Sequence, residues 1–407
     1  MRLTKELLLS LPKTDLHVHL DGSLRLSTLI ELAREQGVDL PSWEDAGLRE
    51  LVFKESYANL EEYLHGFAYT TAVLGEAEAL ERVAYEFAWD NIRENVCYVE
   101  VRFAPQLHMG RGLSYDDVFR AVARGLGRAE SEHAQSADVL ERGAPPFRYG
   151  IIACAMRMFT AEFSPWFQGL MQTLTESDPE SVYAIASLEL ARAAVRARDD
   201  LGIPVVGFDL AGAEAGFPAV AHSEAFQYVH DHFLKKTVHA GEAYGPESIF
   251  QAITALHADR IGHGYHLFSP ELISEKRIGD PAAFSRALAE YIADRRITIE
   301  VCITSNLQTN PSIGSVQNHK FRRILDEKLS ATLCTDNRLV SHTTVTDEYQ
   351  LAVDAFHMTP EQLRNIVIYG FKRSFFPGSY REKRAYVRGV IDRYDRVASG
   401  LGVPRGS

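Results

Sequence analysis

The amino-acid sequence predicts an α/β protein, a (β/α)8 TIM barrel with extra helices after the first strand and at the C-terminus. Three observations carry that expectation. Eight short apolar, β-rich runs alternate with longer amphipathic ones. Several of the short runs are apolar on both faces, as in Ile151-Ile152-Ala153-Cys154-Ala155-Met156, which suits parallel strands covered on both sides. No GxGxxG or GxxxxGKS/T loop follows any of them, so an open, doubly wound sheet is the weaker choice.

The expected strands are Thr14–His19, Cys97–Phe103, Tyr149–Met156, Val205–Leu210, Lys236–His239, Arg260–Gly264, Thr298–Ile303 and Thr332–Thr335. Between them, helical patterns cover Leu26–Gln36, Ala77–Asn95, Pro179–Leu201, Glu247–His257, Asp280–Asp294 and Lys320–Lys328. The first helix follows Ser23 and stops at Gly37. The long gap between the first two strands holds further helical material around Tyr57–Phe67, which could cap the barrel mouth or simply pack on its side. Ser131–Phe147 is polar and contains Pro145-Pro146, so it reads as a loop insertion. The chain after Thr359 reads as helices outside the barrel. A single domain over 1–402 is expected, and Val403-Pro404-Arg405-Gly406-Ser407 resembles an expression tail.

Composition narrows the function. The chain has 407 residues, a net charge of −12 and no dense Lys/Arg tract, so nucleic-acid binding is disfavoured and a small substrate fits better. No apolar stretch is long enough to span a bilayer, and Leu7–Leu11 is too short for a signal h-region. The four cysteines, Cys97, Cys154, Cys302 and Cys334, lack CxxC spacing and sit in or beside apolar runs. They read as buried thiols in a reducing compartment, with the cytoplasm as the default. Oligomeric state is not readable.

Chemistry concentrates where the strands end. In a barrel those C-terminal ends share one face. His17 and His19 lie two apart on the first strand and so on one face of it. Either residue alone is more often a structural polar group than a ligand. Together with His239 at the fifth strand end and Asp336 at the eighth, they make three imidazoles and a carboxylate, a set that suits Zn2+ with one position open for water. No Lys ends the fourth strand to bridge two metals, so one ion per chain is favoured. Zinc lowers the pKa of water toward neutrality. His263 is placed to take or hold the water's proton. Glu242, three residues past His239, need not bind metal and could deliver a proton to a ring nitrogen if burial keeps it protonated.

The motifs in order are His17-Val18-His19-Leu20-Asp21-Gly22, Asp209-Leu210-Ala211-Gly212, Val238-His239-Ala240-Gly241-Glu242, Arg260-Ile261-Gly262-His263-Gly264, Thr304-Ser305-Asn306-Leu307 and Thr335-Asp336-Asn337. In this series the chain resembles the adenosine deaminase family within the zinc amidohydrolases, from about Leu11 to Phe376. Glu100-Val101-Arg102-Phe103-Ala104-Pro105 is similar to the family pattern too. The resemblance implies a barrel that deaminates a purine nucleoside at C6, with Glu242 protonating N1 and His263 and Asp336 assisting the water. It implies substrate contacts from His19, from Asp21 on the ribose 5′ side, and from the Gly212 backbone to N3. One position departs. The family usually has a second Asp after the ligand Asp, protonated to donate to purine N7, and here it is Asn337. An amide NH2 donates without any proton uptake, so 6-aminopurine binding is expected to survive. Adenosine is the leading substrate. Aminodeoxyfutalosine or another 5′-substituted adenosine, adenine, or AMP follow. A catalytically silent purine-binding barrel is the alternative from another class, and the presence of Glu242, His263 and all four ligands argues against it.

Overall fold

A computed structural model describes residues 3–110 and 112–401. The tail at 403–407 lies outside the described residues. Eight strands pair in parallel, each with the next in sequence: β1 (Lys13–His19), β2 (Val96–Phe103), β3 (Arg148–Met156), β4 (Val205–Ala211), β5 (Lys235–Ala240), β6 (Arg260–His263), β7 (Thr298–Val301) and β8 (Ala331–Leu333). The sheet then returns on itself. Val18 forms a parallel bridge with Asp336, just past β8. The His19 amide donates to the Asp336 carbonyl at 2.7 Å, and the Asp336 amide donates to the His17 carbonyl at 2.8 Å. The chain is thus a (β/α)8 barrel. Its strands are apolar on their outer face because helices cover that face.

The expected helices form for the reasons their sequences give. Leu26–Gln36 ends at Gly37, whose φ of 67° takes the left-handed turn that glycine accepts freely. Pro179–Asp199 and Pro281–Arg295 both open on a proline, behind Asp178 and Asp280, whose carboxylates accept from the amides of Ser181 and Ala283. Ala77–Arg93, Pro246–Thr254 and Phe321–Asp326 fall within a few residues of their expected bounds. Near the C-terminus, Pro360–Arg373 packs against β1 and β8, and Tyr380–Gly400 packs on that helix. No helix among the described residues is long and apolar enough to cross a membrane.

Helices at Pro165–Thr173, Ser223–Asp231 and Val345–Phe356 lie outside the expected set, and three further segments differ from the sequence expectation. A helix at Tyr115–Ala134 joins β2 to β3 and runs into the segment read as a loop. Ser114 and Asp117 form a reciprocal cap at its start, and Val118, Val122, Leu126 and Ala129 bury one stripe against Ala77–Arg93. Only the part after Ala134 is irregular, apart from one turn at Ala137–Leu140. Second, β8 stops at Leu333, and Cys334 and Thr335 run on outside the strand. Third, β7 stops at Val301, and Ile303–Thr309 is helical. The buried Glu348 carboxylate explains that turn. It accepts from the amides of Ile303 at 3.0 Å and Thr304 at 3.3 Å, and from the hydroxyls of Thr304 and Thr343. Those amides would otherwise be the orphan donors of a helix start.

The segment after β1 lies across the mouth. Its short helices Leu60–Leu64 and Phe67–Ala72 bring the Phe67 ring edge-on to His19, with centroids 6.3 Å apart. Tyr63 donates to or accepts from Ser341 at 2.7 Å, and the Tyr57 hydroxyl donates to the Val340 carbonyl at 3.3 Å. Both tyrosines therefore fasten this cover to the loop after β8.

Burial pushes the Glu348 carboxyl up to about 7, against an ordinary 4.5. The folded chain then holds this proton more tightly than the unfolded chain does. The stability it contributes is full below pH 4.5 and is lost as pH rises through 7. Glu348→Gln keeps an oxygen for the two amides and has no proton to lose. Its unfolding free energy relative to wild type, read by chemical denaturation, should therefore rise from pH 5 and level off near pH 8, by about 2–3 kcal/mol. A difference that stays flat across that range would contradict this account.

Candidate active site and metal centre

Four side chains from three places in the sequence meet at the C-terminal end of the barrel. One ligand atom each from His17, His19, His239 and Asp336 lie within 4.8 Å of one another. The Nε2 atoms of His19 and His239 face each other at 3.1 Å. Asp336 Oδ1 is 3.5 Å from Nε2 of both His17 and His19. Each approach follows from the strands. His17 and His19 share the inner face of β1, His239 ends β5, and Asp336 is drawn in by the bridge that closes the barrel. Asp336 takes a φ of 61° there and His263 a φ of 59°, left-handed values that non-glycine residues rarely adopt.

The histidines are held from behind. The His17 Nδ1–H donates to Glu300 at 2.8 Å, and His239 Nδ1 is 3.0 Å from Asp209. Each carboxylate turns the other ring nitrogen toward the common point. Arg102 spans the two, donating to Asp209 at 2.7 Å and Glu300 at 2.9 Å. Arg260 continues the chain of charges from Glu300 at 2.6 Å to Glu100. All of these side chains are buried. Burial alone would raise the Glu300 and Asp209 carboxyls. Instead, Arg102 and Arg260 hold Glu300 well below the usual range, and His239 and Arg102 do so for Asp209.

These features fit a cation. His17 Nε2 is buried, has no hydrogen-bond partner among the described residues and lies 3.5 Å from Asp336 Oδ1. Burial lowers the pKa of His239 and brings that of His19 to about 3, so both present the neutral imidazole a metal requires. Against the effect of burial, the surrounding imidazoles, His17 first, hold the Asp336 carboxyl well below its ordinary value. Ser305 donates to its other oxygen at 2.7 Å. Neutral imidazole nitrogens with an ionised carboxylate are the donor set of zinc, iron or cobalt.

Glu242 and His263 stand at the rim. Glu242 Oε1 is 3.6 Å from His263 Nε2. Burial first, then the nearby Asp336 and Glu214 carboxylates, push Glu242 well above the usual range. Burial keeps His263 far below its ordinary value and hence neutral. The loop that carries Glu242 folds around Glu214, whose carboxylate accepts from the amides of Gly241, Glu242, Ala243 and Tyr244 at 2.7–3.0 Å and from the Ser248 hydroxyl. Arg157, at the end of β3, donates to the carbonyls of His239 at 2.5 Å and Phe217 at 2.8 Å, and so ties the β4 and β5 loops together.

The other expected contacts fall around this centre. Gly212 follows β4 with a φ of 99°, a conformation glycine allows at little cost. Asp21 is buried 3.6 Å from His108 Nε2, and its Oδ1 has no partner among the described residues. Asn337 donates its Nδ2–H to the Tyr63 hydroxyl at 2.8 Å, and its Oδ1 is unpartnered among the described residues. Gly22 is needed beside it, since a Cβ there would fall 1.8 Å from Asn337 Oδ1. Sequence reasoning gave no role to Arg102 and Arg260, although both lie in its motifs, nor to Glu214, Glu300 and His319. For Arg102 and Glu300 a signal existed: a charged residue inside an apolar strand, in Val-Glu-Val-Arg-Phe and Thr-Ile-Glu-Val. Such a charge must point inward to a partner.

With the geometry in place, the comparisons with known proteins agree with it. A family model described as adenosine deaminase matches residues 12–393. A chain named adenosine deaminase from Mycobacterium avium (strain 104) is 37% identical over 93% of this chain and 94% of its own. One named adenosine deaminase 1 from Streptomyces coelicolor is 37% identical over 93% of this chain and 86% of its own. Among solved structures, Arabidopsis ADAL complexed with IMP superposes with a TM-score of 0.72 at 26% identity, covering 96% of this chain and 99% of that one. The Arabidopsis N6-mAMP deaminase gives 0.70 at 27% identity, over 95% and 99%. A zinc-bound Burkholderia amidohydrolase at 21% identity, with a TM-score of 0.76, shares the fold. A motif series in order, a barrel whose strand ends converge on a cluster that could hold a cation, and relatives matched over most of their length lead to one conclusion: the chain belongs to the adenosine deaminase family and is a hydrolytic deaminase.

Proposed function

We propose that this protein converts adenosine to inosine and ammonia, with one zinc ion per chain held by His17, His19, His239 and Asp336. The convergence of those four ligand atoms within 4.8 Å, beside a carboxyl that takes no part in the cluster, carries the proposal. The names of the most similar chains support adenosine over its analogues. Zinc bound there supplies Lewis acidity, which makes water a nucleophile near neutral pH.

The protein's own groups supply the remaining steps. Glu242, kept protonated by burial, gives its proton to purine N1 and makes C6 electrophilic. Water adds its oxygen to C6 and gives its proton to a neighbour, for which His263 and Asp336 are the two candidates at the rim. That proton returns on the amino group, which leaves as ammonia. The C6 hydroxyl proton goes back to Glu242 as the carbonyl forms. The Gly212 backbone would meet N3, Asn337 would meet N7, and Asp21 with His19 would face the ribose. The Asn337 NH2 carries two hydrogens, so one can stay on the Tyr63 hydroxyl while the other donates to N7.

A 5′-phosphorylated adenosine is the second reading, because the Arabidopsis relatives are named for, or bound to, nucleotides. The buried Asp21 carboxylate on the ribose 5′ side counts against it, since it would repel a phosphate. Four free, buried cysteines fit a reducing compartment such as the cytoplasm.

Several outcomes are expected. Adenosine should give the highest kcat/KM in an ultraviolet assay against adenine, AMP and aminodeoxyfutalosine, and a preference for AMP would reverse the substrate order. Glu242→Gln should lower kcat by about 100-fold or more while the protein still binds metal. Turnover near wild type would remove Glu242 from the chemistry. Asn337→Ala should cost about 1–3 kcal/mol in kcat/KM for adenosine. An unchanged value would end the N7 assignment. Chelation should abolish activity and one equivalent of zinc per chain restore it, whereas two bound ions per chain by elemental analysis would refute the single-metal centre.

A further inference from the structure

A chain of hydrogen bonds leads from a backbone amide to His263 and leaves no freedom in its direction. The Phe321 amide can only donate, and it donates to His319 Nδ1 at 3.1 Å. That nitrogen is therefore an acceptor. His319 is buried between Tyr265 and Phe356, and burial brings its pKa to about 3, so it is neutral and carries its single proton on Nε2. Nε2 lies 3.2 Å from Asn306 Oδ1, which accepts that proton. The Asn306 amide is thereby oriented, and its Nδ2–H faces His263 Nδ1 at 3.1 Å. A nitrogen that accepts cannot also carry the proton, so the neutral His263 ring bears its proton on Nε2. Nε2 is buried, has no hydrogen-bond partner among the described residues, and stands 3.6 Å from Glu242.

We propose that His319 and Asn306 are positioning residues that lock His263 as its Nε2–H tautomer, so that His263 donates a hydrogen bond to the attacking oxygen and does not take its proton. This inference rests on the deaminase reading of the same site. Of the two candidates at the rim, it leaves the Asp336 carboxylate to receive the proton of water and return it on the departing amine. Atoms and charges balance as before, with His263 unchanged throughout.

The decisive measurement uses the zinc-loaded protein with 15N-labelled histidine. Long-range 1H–15N correlation reads each ring tautomer directly. The His263 spectrum should show a protonated Nε2 and an unprotonated Nδ1, and the reverse pattern in wild type overturns the proposal without any variant. In Asn306→Asp the carboxylate accepts from both rings, which moves the His263 proton to Nδ1. That change should lower kcat by about tenfold or more with KM for adenosine changed less than about twofold. Asn306→Ala, which imposes neither tautomer, should lose less. A fall in kcat with the Nε2–H pattern intact would refute the role assigned to the relay. If wild type does not deaminate adenosine at all, the functional reading fails, while the tautomer in the spectrum still tests the relay.

Discussion

The arrangement depends on one buried cation. Arg102 is fully enclosed in the barrel and lies between two carboxylates, each of which backs a histidine of the candidate metal cluster. Without it, Asp209 would keep no cationic partner and Glu300 only Arg260, and a buried carboxylate left unpaired costs several kcal/mol. With it, both stay ionised and both histidines keep a fixed face to the centre. Arg260 and Glu100 extend the alternation one layer deeper, and the Thr237 hydroxyl donates to Glu300 at 2.9 Å. A barrel core is normally filled by branched aliphatic layers. Here charged side chains replace part of that filling. Their use is orientation, because a buried ion pair contributes little net stability but fixes geometry closely.

Barrel closure is the second constraint. The cluster takes His17 and His19 from the start of the chain, His239 from β5 and Asp336 from its far side, and the bridge between Val18 and Asp336 brings the first and last into register. The two backbone hydrogen bonds flanking that bridge run to His17 and His19 themselves. Closing the sheet and assembling the cluster are thus a single event. Thr335 adds to the joint by donating its hydroxyl to Asp15 at 2.5 Å. The left-handed backbone at Asp336 follows, since the chain must leave the sheet while its side chain still points inward.

Much of this was legible in the sequence. Period, strand composition and the absence of phosphate loops gave the barrel, and histidines at matching strand ends gave the cluster. The limits were physical. Local patterning cannot reveal that Ile303 opens a helix, because the cap is Glu348, far along the chain. The long helix Tyr115–Ala134 was hidden by a polar outer face that merges into a polar loop. His319 sits in the short link between the single turn Val316–Asn318 and the helix Phe321–Asp326, and its meaning comes from contacts with residues 306 and 321. Asn337 showed in the sequence only as a departure, whereas its partner Tyr63 lies in the mouth cover, where no spacing rule connects the two.

The mouth loops follow a common principle. Loops carry free amides, and a buried amide without a partner is costly. Each active-site loop meets this with a buried carboxylate. Glu214 takes four successive amides below Glu242, Glu348 takes two above Ser305 and Asn306, and Glu94 accepts from Thr346 at 2.8 Å while pairing with Arg338. A carboxyl group can accept several donors at once, and its two oxygens fix the curvature of the loop around them. A deaminase must keep its reacting groups within a fraction of an ångström of their places, and on the proposed reading Glu214 and Glu348 supply that precision by folding the backbone beneath Glu242 and Asn306.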